Sequence, residues 1–257
     1  MTELVHLDTA SGTATITLNS PHNRNALSRR LRTDLAAHLA TALADPAVRI
    51  VVLTHADPVF CAGADLKEAA ACSDEEDANP FPAILETLWT SPKPVVARLA
   101  GPARAGGLGL VAASDLAIAV ETATFAFSEV RIGVVPAVIS VPVLARLAPR
   151  AAQALFLTGA TFDAIRAAEI GLLTEVVPAD HLDAAVAAHV DALALGAPQA
   201  LAATKELLSG GSAKTLAADL AAMGELSARH FASAEGQEGI TAFREKRHAA
   251  WVPERTA

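Results

Sequence analysis

The stretch GPARAGGLGLVAASDLAIAVETATFAFSEVRIGVVP, residues 101–136, limits the fold more than any other part of this chain. A glycine pair, Gly106-Gly107, opens an apolar run of helical length that stops at Ser114-Asp115. Leu116–Val120 then reads as a buried strand and Thr124–Phe127 as a short one. A strand that enters a glycine turn, becomes a helix and returns as a strand is the βαβ rhythm of a parallel sheet. Within the same stretch a single carboxylate, Glu129, stands among Phe125, Phe127, Val130 and Ile132.

The rhythm extends to both sides. VHLDT, Ser11-Gly12 and TATITLN over residues 4–18 predict a β-hairpin. Residues 19–25 are a loop of turn formers. Ser28 is placed to cap a helix over 29–44, with Leu31, Leu35, Leu39 and Leu43 at helical spacing. Asp45-Pro46 ends it, and Val48–Thr54 is a buried strand. PVFCAGADLKEAA carries a second glycine turn and a helix start. CSDEEDANP over 72–80 is a charged loop that ends in proline. Phe81–Thr90 is helical and Val95–Leu99 is a strand. From Ser140 the pattern is almost wholly helical apart from Leu173–Val177. The composition shifts at Gly196-Ala197-Pro198, which divides the chain into 1–195 and 196–257. No internal repeat is visible.

Two turns therefore have one form: Cys61-Ala62-Gly63-Ala64-Asp65 and Ala105-Gly106-Gly107. Each follows a strand and precedes a helix, so each leaves backbone N–H groups without intrahelical acceptors. On neighbouring parallel strands the two would converge at the carboxyl edge of the sheet, where open α/β folds bind ligands. Convergent N–H groups form an oxyanion hole, suited to a thioester carbonyl that becomes an enolate. Glycines that merely permit tight turns, and a solvated edge glutamate, would produce the same letters. Burial would raise the pKa of Glu129, whereas an ion pair with Arg131, two residues on, would lower it.

Composition removes several classes. With 257 residues and 52% apolar content, the chain can build one large core. Its net charge of −8 argues against a general nucleic-acid surface. Tyrosine is absent, which excludes it as a catalytic acid. Two cysteines, Cys61 and Cys72, make no disulfide framework, and Cys61 beside the turn reads as packing. The eight histidines lack metal-ligand spacing, so no metal is expected. Ser140 lacks a nucleophile elbow. Asp115 reads as structural. Glu68 and the acidic loop Asp74–Asp77 read as solvated rather than as part of a site. The opening MTELVHLDTASG has no leader pattern and no stretch is long and apolar enough for a membrane span. The expectation is a cytoplasmic protein.

VFCAGADLKE, KPVVARLAGPARAGGLGLVAASDLAIA, ATFAFSEVRIGVVPAVIS, LTGATFDAIRAAEIGLLTEVV and the late EGITAFREKR together resemble the crotonase superfamily, the enoyl-CoA hydratase/isomerase group. The resemblance implies an α/β fold, a spiral of ββα units, with acyl-CoA binding and catalysis in 1–195. It implies a helical oligomerisation region in 196–257, forming trimers or paired trimers. The substrate would be an acyl-CoA thioester, with no cofactor beyond the coenzyme A it carries. Motif by motif, the oxyanion-hole N–H groups fall on Ala64 and Gly106. Coenzyme A contacts fall on Arg24, Asn25, Ala26, Ala62, Asp65 and Leu66, with Phe243 and Lys246 reaching a neighbouring subunit's ligand.

The family's hydratases use two glutamates. Glu129 matches one; the other position is Gly109, because AGGLGL stands where GGGxEL is usual. The flanking residues look most like the bacterial methylglutaconyl-CoA hydratase branch, where glycine also occurs there. The expected activity is a hydratase-type lyase with Glu129 as the retained acid/base. The alternatives are a Δ3,Δ2-enoyl-CoA isomerase with Glu129 as sole base, or a non-catalytic acyl-CoA binder.

Overall fold

The structure is a computed structural model that describes residues 3–56, 58–69, 79–209 and 212–253. Cys72 and the acidic loop Asp74–Asp77 lie outside the described residues.

Strand β1 (Val5–Ala10) and β2 (Thr13–Leu18) form the expected hairpin, with Ser11 and Gly12 both at positive φ in the turn. Strand β2 pairs in parallel with β3 (Ile50–His55), which pairs with β4 (Val95–Leu99), and β4 pairs with β6 (Leu116–Val120). Strand β9 (Glu175–Val177) closes the row, giving six strands in the order β1-β2-β3-β4-β6-β9. Its central members are apolar at nearly every position; all six residues of β3 are buried. A strand covered on both faces needs such a run rather than alternation.

A second, smaller layer is built from short segments. Strand β5 (Ala103–Arg104) pairs in parallel with β7 (Thr124–Ala126), and β7 pairs antiparallel with β8 (Phe162–Asp163). Two isolated parallel bridges extend this layer, Cys61 to Ala103 and Leu27 to Ala64. The chain thus repeats one path. A long strand of the main sheet is followed by a short segment of the second layer, and then by a helix. Segment 24–27 leads to α1 (Arg29–Ala44), segment 61–64 to the four-residue α2 (Leu66–Ala69), and β5 to α4 (Gly106–Ala113). The fourth turn, β7, ends in a 3-10 turn at Glu129–Ile132 and then α5 (Ala137–Leu144). The repetition is one of path; beyond the common form of the two glycine turns no residue pattern recurs.

Ser28 caps α1 through its side chain, accepting the Leu31 N–H at 3.2 Å, and Leu31, Leu35 and Leu39 are buried beneath it. Helix α3 (Phe81–Thr90) packs beside α4. Strand β8 is followed by α7 (Ala164–Glu169), which packs on it, and helices α6 (Pro149–Thr158) and α8 (Leu182–Ala194) complete the first 195 residues. Beyond them α9 (Pro198–Ser209), α10 (Ser212–Ala232) and α11 (Ala234–Glu245) fold back on the chain. Helix α10 lies over α3 and α5, and α11 lies on the 3-10 turn that carries Glu129. Among the described residues no single helix is long and apolar enough to cross a membrane.

Candidate functional site

The short layer brings the two glycine turns side by side. Leu27 N–H donates to Gly63 O at 2.8 Å, Ala62 N–H to Arg24 O at 3.1 Å, and Arg104 N–H to Cys61 O at 2.9 Å. Segments 24–27, 61–64 and 103–106 therefore run in parallel register. Within one trans peptide the C=O and the N–H point in opposite directions. Because the bridge to Leu27 uses the carbonyl of Gly63, the N–H of Ala64 itself faces the opposite side, toward 103–106. Gly106 is the first residue of α4, so its N–H has no intrahelical acceptor. The turns approach closely: a Cβ placed on Gly63 would lie 3.6 Å from Gly106 N and 2.7 Å from Ala105 Cβ. Gly63 also has φ +90°, a backbone that a side chain would strain.

Glu129 stands at the end of the neighbouring turn. Ala105 N–H donates to Ala126 O at 3.1 Å, which ties the glycine turn to the strand leading to this glutamate. Glu129 is 8% exposed, and its Oε2 is buried without a hydrogen-bond partner among the described residues. Burial pushes its pKa up to about 7, against a smaller lowering by its own backbone N–H. Phe125 and Phe127 are fully buried and pack against Phe162, with ring centroids at 5.7 and 5.8 Å, so the strand that delivers Glu129 sits on a rigid apolar base.

Of the two opposing effects on Glu129, an ion pair with Arg131 does not form. Residues 129–132 are a 3-10 turn, not a strand, so positions two apart diverge. Arg131 is exposed and its Nε donates to Thr158 O at 3.1 Å. Desolvation of Glu129 therefore wins over pairing.

Gly109, one turn into α4, does not face open space. A Cβ there would meet Ile139 Cγ2 at 2.7 Å and Leu85 Cδ1 at 3.5 Å. The place of a second acid is taken by apolar side chains of α5 and α3. The signal was present in the sequence as VVPAVIS, but nothing in one sequence says that its isoleucine folds back onto Gly109.

Residues at the outer loop divide into two kinds. Asn25 is fully buried; its side chain accepts from Ser20 N–H at 2.6 Å and donates to Ala56 O and Val59 O at 3.2 and 2.8 Å. It holds the loop, and its backbone N–H is committed as well, donating to Ser20 O at 2.9 Å. Arg24 is at φ +57°, Ala26 is buried, and Leu66 is half-buried. Asp65 accepts from Asn23 Nδ2 at 3.0 Å and caps the Lys67 N–H at 3.0 Å. Glu68 is half-buried rather than fully solvated: its Oε2 accepts the Arg29 N–H at 2.7 Å at the start of α1. A cleft of about 470 Å3 opens here, lined by Asn19, His22, Asn23, Arg30, Asp65 and Glu68 among others. Glu129 does not line it. Phe243 is 62% exposed on α11, and Lys246 is exposed just beyond it at φ +56°.

Cys61 is buried under the turns and burial pushes its thiol up to about 12, so it packs as an apolar group. At the far end of α4, Asp115 accepts from Val95 N–H and from Lys205 Nζ, each at 2.7 Å. Arg146 donates to Ala112 O and Ser114 O, both at 3.2 Å, and lies over the Trp89 ring. Cations at this end satisfy the last carbonyls of the helix whose first N–H faces the site.

Residues 8–254 match the sequence description of the enoyl-CoA hydratase/isomerase family. The chain belongs to that family. A Thermus thermophilus protein named as an enoyl-CoA hydratase is 36% identical over 242 residues, which cover 91% of this chain and 95% of the relative. The crystal structure of an enoyl-CoA hydratase from Mycobacterium avium is 44% identical with a TM-score of 0.87, covering 98% of this chain and 100% of that one. A methylmalonyl-CoA decarboxylase in complex with 2-nitronate-propionyl-CoA is similar at 27% identity and a TM-score of 0.84, covering 98% and 99%. The family fold is the spiral of ββα units described above, and family members are enzymes of acyl-CoA thioesters.

Proposed function

We propose that the chain is a hydratase-type lyase that adds water across an α,β-unsaturated acyl-CoA thioester. The observation that carries the reading is the buried carboxyl of Glu129, its Oε2 without a hydrogen-bond partner among the described residues, whose pKa of about 7 lets it act as base and acid at neutral pH. The thioester oxygen sits on the N–H groups of Ala64 and Gly106, which stabilise negative charge as the conjugated system accepts electrons. Water attacks C3 and its proton passes to the Glu129 carboxylate. The resulting enolate is protonated at C2 by the same carboxyl, so one water is consumed and Glu129 returns to its starting state. Coenzyme A lies along the 24–27 and 62–66 segments. Phe243 and Lys246 face a neighbouring subunit's ligand in a homotrimer or a pair of trimers. The similarity of AGGLGL and EVRIGVVPAVIS to the methylglutaconyl-CoA hydratase branch supports a branched substrate with a second carboxylate.

One observation favours a second reading. Ile139 and Leu85 pack over Gly109, so apolar side chains stand where a two-acid hydratase has its second carboxylate, and Glu129 is left as the one acid of the pair. A single base suffices to shift a double bond, taking a proton from C2 of a 3-enoyl-CoA and returning it at C4. Offering crotonyl-CoA and a 3-enoyl-CoA separates the two readings. Loss of the conjugated double bond from crotonyl-CoA supports hydration. Its appearance from the 3-enoyl substrate, with no turnover of crotonyl-CoA or of a branched enoyl-CoA, overturns it in favour of isomerisation.

A further inference from the structure

Ala105 has φ +48° and ψ −119°. The left-handed well open to residues with a Cβ lies at ψ of roughly +30 to +60°. The backbone of Ala105 is therefore outside it, in a region that glycine occupies freely. Three contacts hold it there. Its N–H donates to Ala126 O at 3.1 Å, on the strand that delivers Glu129. Its carbonyl accepts the Leu108 N–H at 2.9 Å, in the first turn of α4. Its Cβ occupies the space beside Gly63, 2.7 Å from where a Cβ on that glycine would stand.

The angle ψ of a residue sets the plane of the peptide that follows it. For Ala105 that peptide carries the Gly106 N–H. Relaxing Ala105 into the ordinary left-handed well would turn this peptide over, pointing a carbonyl where the N–H now points. From this geometry we infer that Ala105 is a positioning residue: its strained backbone, rather than its methyl group, aims the Gly106 N–H alongside that of Ala64. The inference rests on the reading of Ala64 and Gly106 as the oxyanion hole. It adds that one residue joins three parts of the site. The Ala64 turn meets its Cβ, Gly106 follows its ψ, and the Glu129 strand accepts its N–H.

The test uses the full chain and a 3-aryl-acryloyl-CoA, whose absorption moves to longer wavelength when its thioester carbonyl is polarised. Ala105→Val cannot hold this backbone, and Ala105→Gly holds it without strain. The Val variant is expected to lose the red shift and to lose kcat by about 100-fold or more, the effect of one missing hole donor, with a smaller change in KM. The Gly variant is expected to keep the red shift and kcat and to melt above wild type. A wild-type complex with no red shift overturns the hole, and this inference with it. A red shift and kcat that survive Ala105→Val overturn the role of Ala105 alone. Where the Val variant does not fold, Ala105→Gly decides: a melting temperature below wild type shows an unstrained alanine and overturns the inference.

Discussion

Ile139 Cγ2 lies 2.7 Å from the position a Cβ on Gly109 would take, and Ile139 Cβ lies 3.3 Å from it. The two residues fit only because one of them has no side chain. Adding a carboxylate at Gly109 therefore drives a longer side chain into a filled space. Overpacking costs about 1–3 kcal/mol, and burying a carboxyl without partners adds to it. Gly109→Glu is expected to destabilise the protein by about 3 kcal/mol or more and to leave crotonyl-CoA hydration no higher. Ile139→Ala in the same chain makes room and recovers part of the loss. Thermal melts of the single and double variants check this; a single variant as stable as wild type would show that the isoleucine yields easily.

Glu129→Gln tests the assignment of the proton-transfer group. The amide keeps the shape and the burial but cannot take up a proton. Positioned acid–base groups contribute roughly 10²–10⁴-fold. Turnover is expected to fall by about that factor while coenzyme A thioester binding, followed by calorimetry, changes little. Wild-type turnover in this variant would remove Glu129 from the mechanism.

Much of this fold was legible. The Ser28 cap and the leucine spacing placed the helix at 29–44, where α1 lies. Continuous apolar runs marked β3, β4 and β6 as strands covered on both faces. The two-residue strands β5 and β8 were not legible, because segments that short carry no period and exist only through their neighbours. In the site, the kinship of the two glycine turns could be read from their common form. The orientation of Arg131 could not, since a 3-10 turn and a strand end look alike over four residues. Nor could the partner of Gly109, because a contact thirty residues away leaves no local pattern.

The raised pKa of Glu129 has a consequence for stability. In the unfolded chain this carboxyl titrates at its ordinary value of 4.5; in the folded protein it titrates at about 7. Between these values the folded state holds a proton that the unfolded state has lost, so stability falls as pH rises. The contribution is fully present below 4.5 and lost by pH values just above 7, a total of roughly 3 kcal/mol. Glu129→Gln has no such titration. Denaturant unfolding at pH 5 and pH 8.5 is expected to show the variant gaining on wild type as pH rises, ending more stable at pH 8.5. Parallel pH profiles for the two proteins would contradict a buried, unpaired carboxyl.

Lys205 offers a test remote from the chemistry. Its Nζ lies 2.7 Å from Asp115 Oδ2 and 2.9 Å from Leu88 O, and the two side chains are 10% and 24% exposed. Burial lowers the Lys205 pKa and raises that of Asp115, while their mutual attraction opposes both shifts. Removing one partner leaves the other's charge buried, which costs about 3–5 kcal/mol. Lys205→Met is expected to approach the lower figure, because Arg146 still faces Asp115. Asp115→Asn combined with Lys205→Met should cost less than the sum of the two single changes, since neither member of the pair is left buried without the other, and Arg146 keeps its bonds to Ala112 O and Ser114 O. A double-mutant cycle of unfolding free energies measures the coupling. The folded fraction of each variant should retain wild-type KM and kcat, because the pair anchors α9 at the end of α4 away from Gly106. A selective loss of kcat would instead tie this cluster to the site.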